Sequence, residues 1–309
     1  MTDAAPISLR TLKLTIAYDG TAYAGWQLQP GKPTVQGTLE NAVAKVTGRQ
    51  VRILASGRTD AGVHALGQVV RVCTDSALPP EVLLRAINAN LPRDIAVLDA
   101  AEARDGFHPI ADVVRKRYRY AIHDGPVRDV FRRHFVWHYV YGRLDADAMG
   151  RAAAVLLGTH DFSSFESSGA ERKTSVRTVF DISVERGRAG QGEKEGLGIR
   201  DRGLGIGNCR NAPRLRSRGT CDPDFDDFIT IEVEADGFLY NMVRAIVGTL
   251  VEVGRGSQPE SWLGEVLRAM DRRAAGPTAP PQGLCLARVE YKTATGGRAE
   301  YLQLGEDSE

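Results

Sequence analysis

Residues 11–20 read TLKLTIAYDG. Leu12, Leu14 and Ile16 recur at every second position, so one face of the segment is apolar. A period of two is that of a β-strand with one face turned to a core. The next regular pattern has a different period. From Thr34 to Gly48, Val35, Leu39, Val43 and Val46 fall on one helical stripe that stops at a glycine. A half-buried strand followed by an amphipathic helix points to a mixed α/β architecture.

The alternation continues along the chain. VRILA (51–55), QVVRVCT (68–74) and IAVLDAAEA (95–103) read as strands. PPEVLLRAINANLP reads as a helix that starts on proline and ends before Pro92. In the second half, RKRYRYAIH (115–123), FRRHFVWHYVY, SVRTVFDISVER, DDFITIEVEAD (226–236) and GLCLARVEY (283–291) read as strands. Helices are expected through AMGRAAAVLLG, capped by Asp145, through FLYNMVRAIVGTLVEVG, and through SWLGEVLRAM. A length of 309 residues fits two domains of about 150. The expected fold is therefore α/β (α+β), with two similar domains, 1–110 and 111–295, each a mainly antiparallel sheet backed by helices. Residues 296–309 form a tail. Residues 187–220 hold nine glycines and more basic than acidic residues. They read as a mobile basic insertion, either a tolerated loop or an arm that touches RNA.

The formal net charge of +1 does not announce a polyanion-binding protein, so local clusters must carry any such argument. The four cysteines form no CxxC pair and fit no common zinc spacing. His134 and His138 lie four apart in a segment that reads as a strand, too far apart there to share one tetrahedral ion. No signal peptide and no apolar run of about 18 residues is present, so a cytoplasmic setting is expected.

Three short stretches could carry chemistry. SGRTDAGVHA (56–65) places Arg58 and Asp60 between Gly57 and Gly62 in what reads as a sharp turn after a strand. The glycines match neither a P-loop nor GxGxxG, and no second carboxylate lies at a useful short spacing. RKRYRY (115–120) puts Tyr118 and Tyr120 on one face and Arg115, Arg117 and Arg119 on the other. Tyrosines exposed on a sheet can stack with bases and arginines can meet phosphates, or the stretch is an edge strand with core tyrosines. In GFLYNMVRAIVG (237–248), Tyr240 and Arg244 are four apart on the helix and share a face. Arg244 stands among apolar residues and needs an acidic partner, either a local acid or Asp60 across a cleft between the halves.

GRTDAGVHA, YDGTAYAGWQLQP, KRYRYAI and GFLYNMVRAIVG, in this order, resemble the TruA family of tRNA pseudouridine synthases. The resemblance runs from about residue 11 to 291. It implies isomerisation of uridines 38, 39 and 40 in the tRNA anticodon stem-loop, without metal or cofactor. It implies a homodimer whose partner is tRNA, with neither membrane nor DNA involved, and sheets that line a basic cleft. Residue by residue, Asp60 matches the catalytic aspartate, Tyr118 the active-site tyrosine, and Arg244 the arginine that pairs with the aspartate. Arg58 matches the arginine that helps hold the displaced base and backbone. Asp60 is then the nucleophile, or the base that opens a glycal route. Weaker readings are a synthase for another tRNA or RNA site and a non-catalytic RNA-binding protein.

Overall fold

The computed structural model describes residues 9–167, 169, 174–187 and 225–292. The tail expected at 296–309 lies outside them, as does the insertion expected at 187–220 except for Gly187. Among the described residues, ten strands join in one sheet: β1 (Arg10–Tyr18), β2 (Leu54–Ala55), β3 (His64–Thr74), β4 (Ile95–Glu102), β5 (Val113–His123), β6 (Trp137–His138), β7 (Gly158–Asp161), β8 (Val176–Arg186), β9 (Phe228–Ala235) and β10 (Leu284–Tyr291). Their order is β4-β1-β3-β10-β5-β9-β8-β7, with β2 added to β3 and β6 to β5. The helices are α1 (Val35–Thr47), α2 (Pro80–Asn90), α3 (Ala146–Ala153), α4 (Met242–Gly254) and α5 (Trp262–Ala269).

The sheet is mainly antiparallel, and its two halves meet at a short seam. β3 and β10 run parallel and share only two register pairs, Cys285 with His64 and Leu286 with Ala65. On the covered face, Leu12, Leu14 and Ile16 of β1 and Tyr120 and Ile122 of β5 are almost completely buried. With Leu39 and Val43 of α1 and Ile246 and Leu250 of α4 they form one contiguous core through both halves. Each fully buried leucine or isoleucine contributes roughly 1.5–3 kcal/mol.

The helix α1 ends where the sequence says it should. The Thr34 side chain accepts a hydrogen bond from the Gly37 N–H, and Gly48 closes the helix at φ 73°.

Among the strands, three segments depart from the expectation. FRRHFVWHYVY contributes only Trp137 and His138 as strand. The reason lies in β5, whose edge is already taken by β10 as far as Tyr120, leaving only Ile122 and His123 to pair with β6. Phe131 and Tyr141 on either side stand in solvent. In VRILA only Leu54 and Ala55 are strand, because α1 side chains take up the Ile53 backbone: its N–H donates to Glu40 and its carbonyl accepts from Gln36. GTHD, without apolar alternation, forms β7, an edge strand paired with β8.

Candidate active site

The loop that follows β2 is held from several sides. The Ser56 N–H donates to the Val69 carbonyl (2.8 Å), and the Ser56 hydroxyl to the side chain of Gln68 (2.6 Å). Gln68, fully buried, donates in turn to the Gly57 carbonyl at 2.9 Å. Thr59 shares a hydrogen bond with the Tyr18 hydroxyl at 2.8 Å, and its carbonyl accepts from the Trp26 N–H at 3.0 Å. The Val63 N–H returns to the Asp60 carbonyl at 3.1 Å, across Gly62 at φ 77°. The preceding loop presses on this turn. Gly25 stands at φ 93°, where a Cβ would lie 2.7 Å from the Thr59 carbonyl oxygen. The loop therefore presents Asp60 from a fixed backbone rather than a free turn.

Gly57 plays a different part from the one expected. Its φ is not in the left-handed region, which Gly62 supplies. Gly57 instead leaves room for Lys116, whose Nζ would sit 3.0 Å from a Cβ there and which donates to the Ser56 carbonyl at 2.7 Å.

Arg244 enters from the first turn of α4. Its Nη1 lies 3.4 Å from Asp60 Oδ2, so residues 184 positions apart meet at the seam. Two shorter bonds orient the guanidinium: Nε donates to the Ala279 carbonyl and Nη1 to Asn241 Oδ1, each at 2.7 Å. Both side chains are largely shielded, 31% exposed for Asp60 and 16% for Arg244. Burial raises the Asp60 carboxyl above its ordinary value, and the charge and hydrogen bond of Arg244 draw it partway back. The arginine thus offsets the cost of holding a charged carboxylate here without cancelling it.

The tyrosine face of β5 joins these groups. Lys116, Tyr118 and Tyr120 alternate onto the same face. Lys116 reaches the Asp60 loop, and Tyr120, whose hydroxyl donates to the Pro280 carbonyl at 2.7 Å, feels the charge of Arg244. Tyr118 stands between them. It is only 9% exposed, because it is flanked by Leu286 and Val233 on the neighbouring strands and by the Phe238 ring at 4.8 Å. Of the two readings the sequence left open, the core placement of the tyrosines matches the structure, although β5 lies inside the sheet rather than at its edge. Arg58 is exposed and makes no side-chain hydrogen bond or ion pair among the described residues.

Two expectations shift. Arg115, Arg117 and Arg119 do not line this site. They point to the opposite face of the sheet, where Glu232 and Glu234 of β9 and Asp181 of β8 pair with them at 2.5–3.0 Å. Strand pairing brings β9 carboxylates beside β5 arginines, so this basic run is neutralised within the fold. Tyr240 does not share a helical face with Arg244, since α4 begins only at Met242.

Sequence reasoning gave no role to Asn241 or to residues 276–283, GPTAPPQG. That segment touches the site at four points. Ala279 holds Arg244, Pro280 holds Tyr120, Pro281 packs on Gly62, and the Gln282 carbonyl faces His64 Nε2 at 3.2 Å. Burial keeps His64 below its ordinary value, so its neutral ring can accept from the Gly20 N–H at Nδ1 and donate from Nε2. The density of proline and glycine just before a strand marks the segment as a fixed connection, but contacts this far apart in sequence leave no periodic signature. Among the described residues, no group of three or more His, Cys, Asp or Glu could hold a metal ion, and no helix is long and apolar enough to cross a membrane.

Comparison with known proteins bears on this arrangement. A family model described as tRNA pseudouridine synthase matches residues 14–110 and 152–292. Among curated proteins, tRNA pseudouridine synthase A of Thermoanaerobacter sp. (strain X514) is 40% identical over 92% of this chain and 100% of its own length. The protein of the same name from Pelobacter propionicus is 43% identical over 92% of this chain and 100% of its own length. That from Myxococcus xanthus is 39% identical over 93% and 94%. Both matched segments of the family model contribute to the Asp60–Arg244 pair, and the relatives are aligned over nearly the whole chain, so the chain belongs to the tRNA pseudouridine synthase family.

Proposed function

We propose that the chain converts uridine to pseudouridine at positions 38, 39 and 40 of the tRNA anticodon stem-loop, with Asp60 as nucleophile. The site is a cleft between an N-terminal domain, 1–110, and a C-terminal domain, 111–295. The observation that carries the reading is the meeting of Asp60 and Arg244, a carboxylate from one half set against a guanidinium from the other at 3.4 Å. The proposed substrate places the enzyme in the cytoplasm.

The reaction needs no net change of composition. An Asp60 oxygen bonds to C1′ as the N1–C1′ bond breaks, and the electron pair leaves with the uracil. The ring turns, C5 bonds to C1′, and the aspartate is released. C5 then loses its proton and N1 gains one. The competing route uses the same carboxylate to take the C2′ proton and form a glycal. Both need Asp60 ionised, and Arg244 favours that form. The target nucleotide must leave its stem to be reached. Arg58, exposed on the catalytic loop, is placed to hold the displaced nucleotide or its phosphate. That contribution is expected to weaken steeply with salt.

Tyr118 is proposed to bear on the flipped uracil, with its hydroxyl near the proton transfers. Tyr118→Phe keeps the ring, and Tyr118→Leu removes it. In single-turnover assays at saturating enzyme, the leucine variant is expected to lose about 10²-fold or more in rate, because a misplaced base misses the attack geometry. Full turnover by Tyr118→Leu would remove the tyrosine from the reaction.

The working enzyme is proposed to be a homodimer, with one tRNA reaching across both chains. Asp60 and Arg244 meet within one chain, so each active site is expected to draw this pair from a single subunit. An Asp60 mutant mixed with a chain defective only in tRNA-body binding should regain some activity as a heterodimer. Light scattering that gives a monomer mass at full activity would contradict the dimer.

A further inference from the structure

We propose that Asn241 is a positioning residue for the reaction: its side-chain amide, anchored on Ser167, holds the Arg244 guanidinium in the orientation that faces Asp60. This rests on the reading of Asp60 and Arg244 as the reacting pair.

Asn241 immediately precedes α4, the usual place for a side chain that caps a helix. It does not cap. Its backbone stands at φ 60°, in the left-handed region, and its side chain makes no bond to the first-turn N–H groups. Asparagine tolerates that backbone better than most residues with a side chain. The amide is turned toward the site instead, and both of its ends are engaged. Oδ1 accepts from Arg244 Nη1 at 2.7 Å, and Nδ2 donates to Ser167 Oγ at 3.1 Å. The Ser167 N–H is itself tied to the Tyr240 carbonyl at 3.0 Å. A residue in a sparsely populated conformation that spends its side chain on a reacting group follows the pattern of strain kept for function.

The chemistry of the amide matters as much as its place. Arg244 Nη1 is shared between Asn241 at 2.7 Å and Asp60 at 3.4 Å, while Nε is held by the Ala279 carbonyl. Both orienting acceptors are neutral, so they fix the direction of the guanidinium without a second full negative charge to draw it from Asp60. An aspartate at 241 would tolerate the same backbone and accept the same hydrogen bond. It would also add that charge.

The test uses the full-length enzyme with tRNA. Asn241→Gly keeps the backbone conformation and removes the amide. It is expected to lower kcat about 10- to 100-fold, as loss of precise placement does, with KM and Tm close to wild type. Ser167→Ala frees the far end of the amide, does not touch the strained backbone, and is expected to lower kcat in the same direction by less. Asn241→Asp is expected to move the acid limb of the kcat/KM profile to higher pH and to recover activity above it. The titratable and charged groups on the elements around Asp60 are Arg244 of α4, Lys116, Tyr118 and Tyr120 of β5, Tyr18 of β1, His64 of β3, and Arg58 of its own loop. None of them is altered in these variants. The inference is overturned if Asn241→Gly keeps wild-type kcat, or if all three variants lose activity only in step with Tm and keep the wild-type acid limb. Asp60→Asn assayed in parallel separates the two levels. If it turns over normally, the reading of the site fails; if it is inactive while Asn241→Gly is normal, only the positioning role fails.

Discussion

Asp60→Asn is expected to lose at least about 10³-fold in turnover on tRNA, the scale on which removal of a nucleophile acts, while remaining folded. The substitution keeps the shape of the side chain and removes the charged carboxylate that both proposed routes require. Its stability follows from the sign of the pKa shift. Burial holds the Asp60 carboxyl above its ordinary value in the folded protein, so ionised Asp60 is a cost that grows as pH rises through the folded pKa. Below the ordinary carboxylate range both proteins carry a neutral group and should melt alike. At neutral pH the asparagine variant should melt no lower than wild type, since Arg244 keeps its bonds to Asn241 and Ala279. Melting curves at acidic and neutral pH, read beside single-turnover rates, check this. An inactive variant that melts well below wild type at neutral pH would mean that the loss is structural.

Arg244→Gln has the second largest expected effect. It removes the charge that, among the described residues, draws the Asp60 carboxyl back down, so the folded pKa should rise further. The acid limb of the kcat/KM profile should therefore move to higher pH. On the plateau a loss of about 10²-fold is expected, the scale of removing one fixed electrostatic group from a shielded site. Arg244→Lys keeps the charge but cannot satisfy Ala279, Asn241 and Asp60 together, and should fall between the two. A pH–rate profile whose acid limb is the same in Arg244→Gln and wild type would separate Arg244 from the ionisation of Asp60.

These expectations rest on contacts only partly legible in the sequence. β1 and α1 were readable almost to the residue because each has one buried face and a clear terminus, Leu12, Leu14 and Ile16 on the strand and Thr34 and Gly48 around the helix. Asp60 and Arg244 were singled out by their odd company, an acid between glycines and an arginine among valines. What was lost was set by strand pairing. Nothing local says that Arg117 faces Glu232, Glu234 and Asp181, although a run of alternating arginines opposite EVE on another strand is the pattern that could have revealed it. Nothing local says that β10 leaves β6 only two positions on β5. The start of α4 was misplaced for a related reason. Leu239 is buried but lies before the helix, so its apolarity extended the helical stripe too far.

Asp60, held against Arg244, is proposed to make pseudouridine in the anticodon stem-loop. Site-by-site mapping of pseudouridine in tRNA from cells lacking this chain, complemented with wild type or with Asp60→Asn, tests it most directly. The expected result is loss at positions 38, 39 and 40 and nowhere else, restored by wild type and not by Asp60→Asn. Unchanged modification at these positions in the deleted cells, or full restoration by Asp60→Asn, would contradict it.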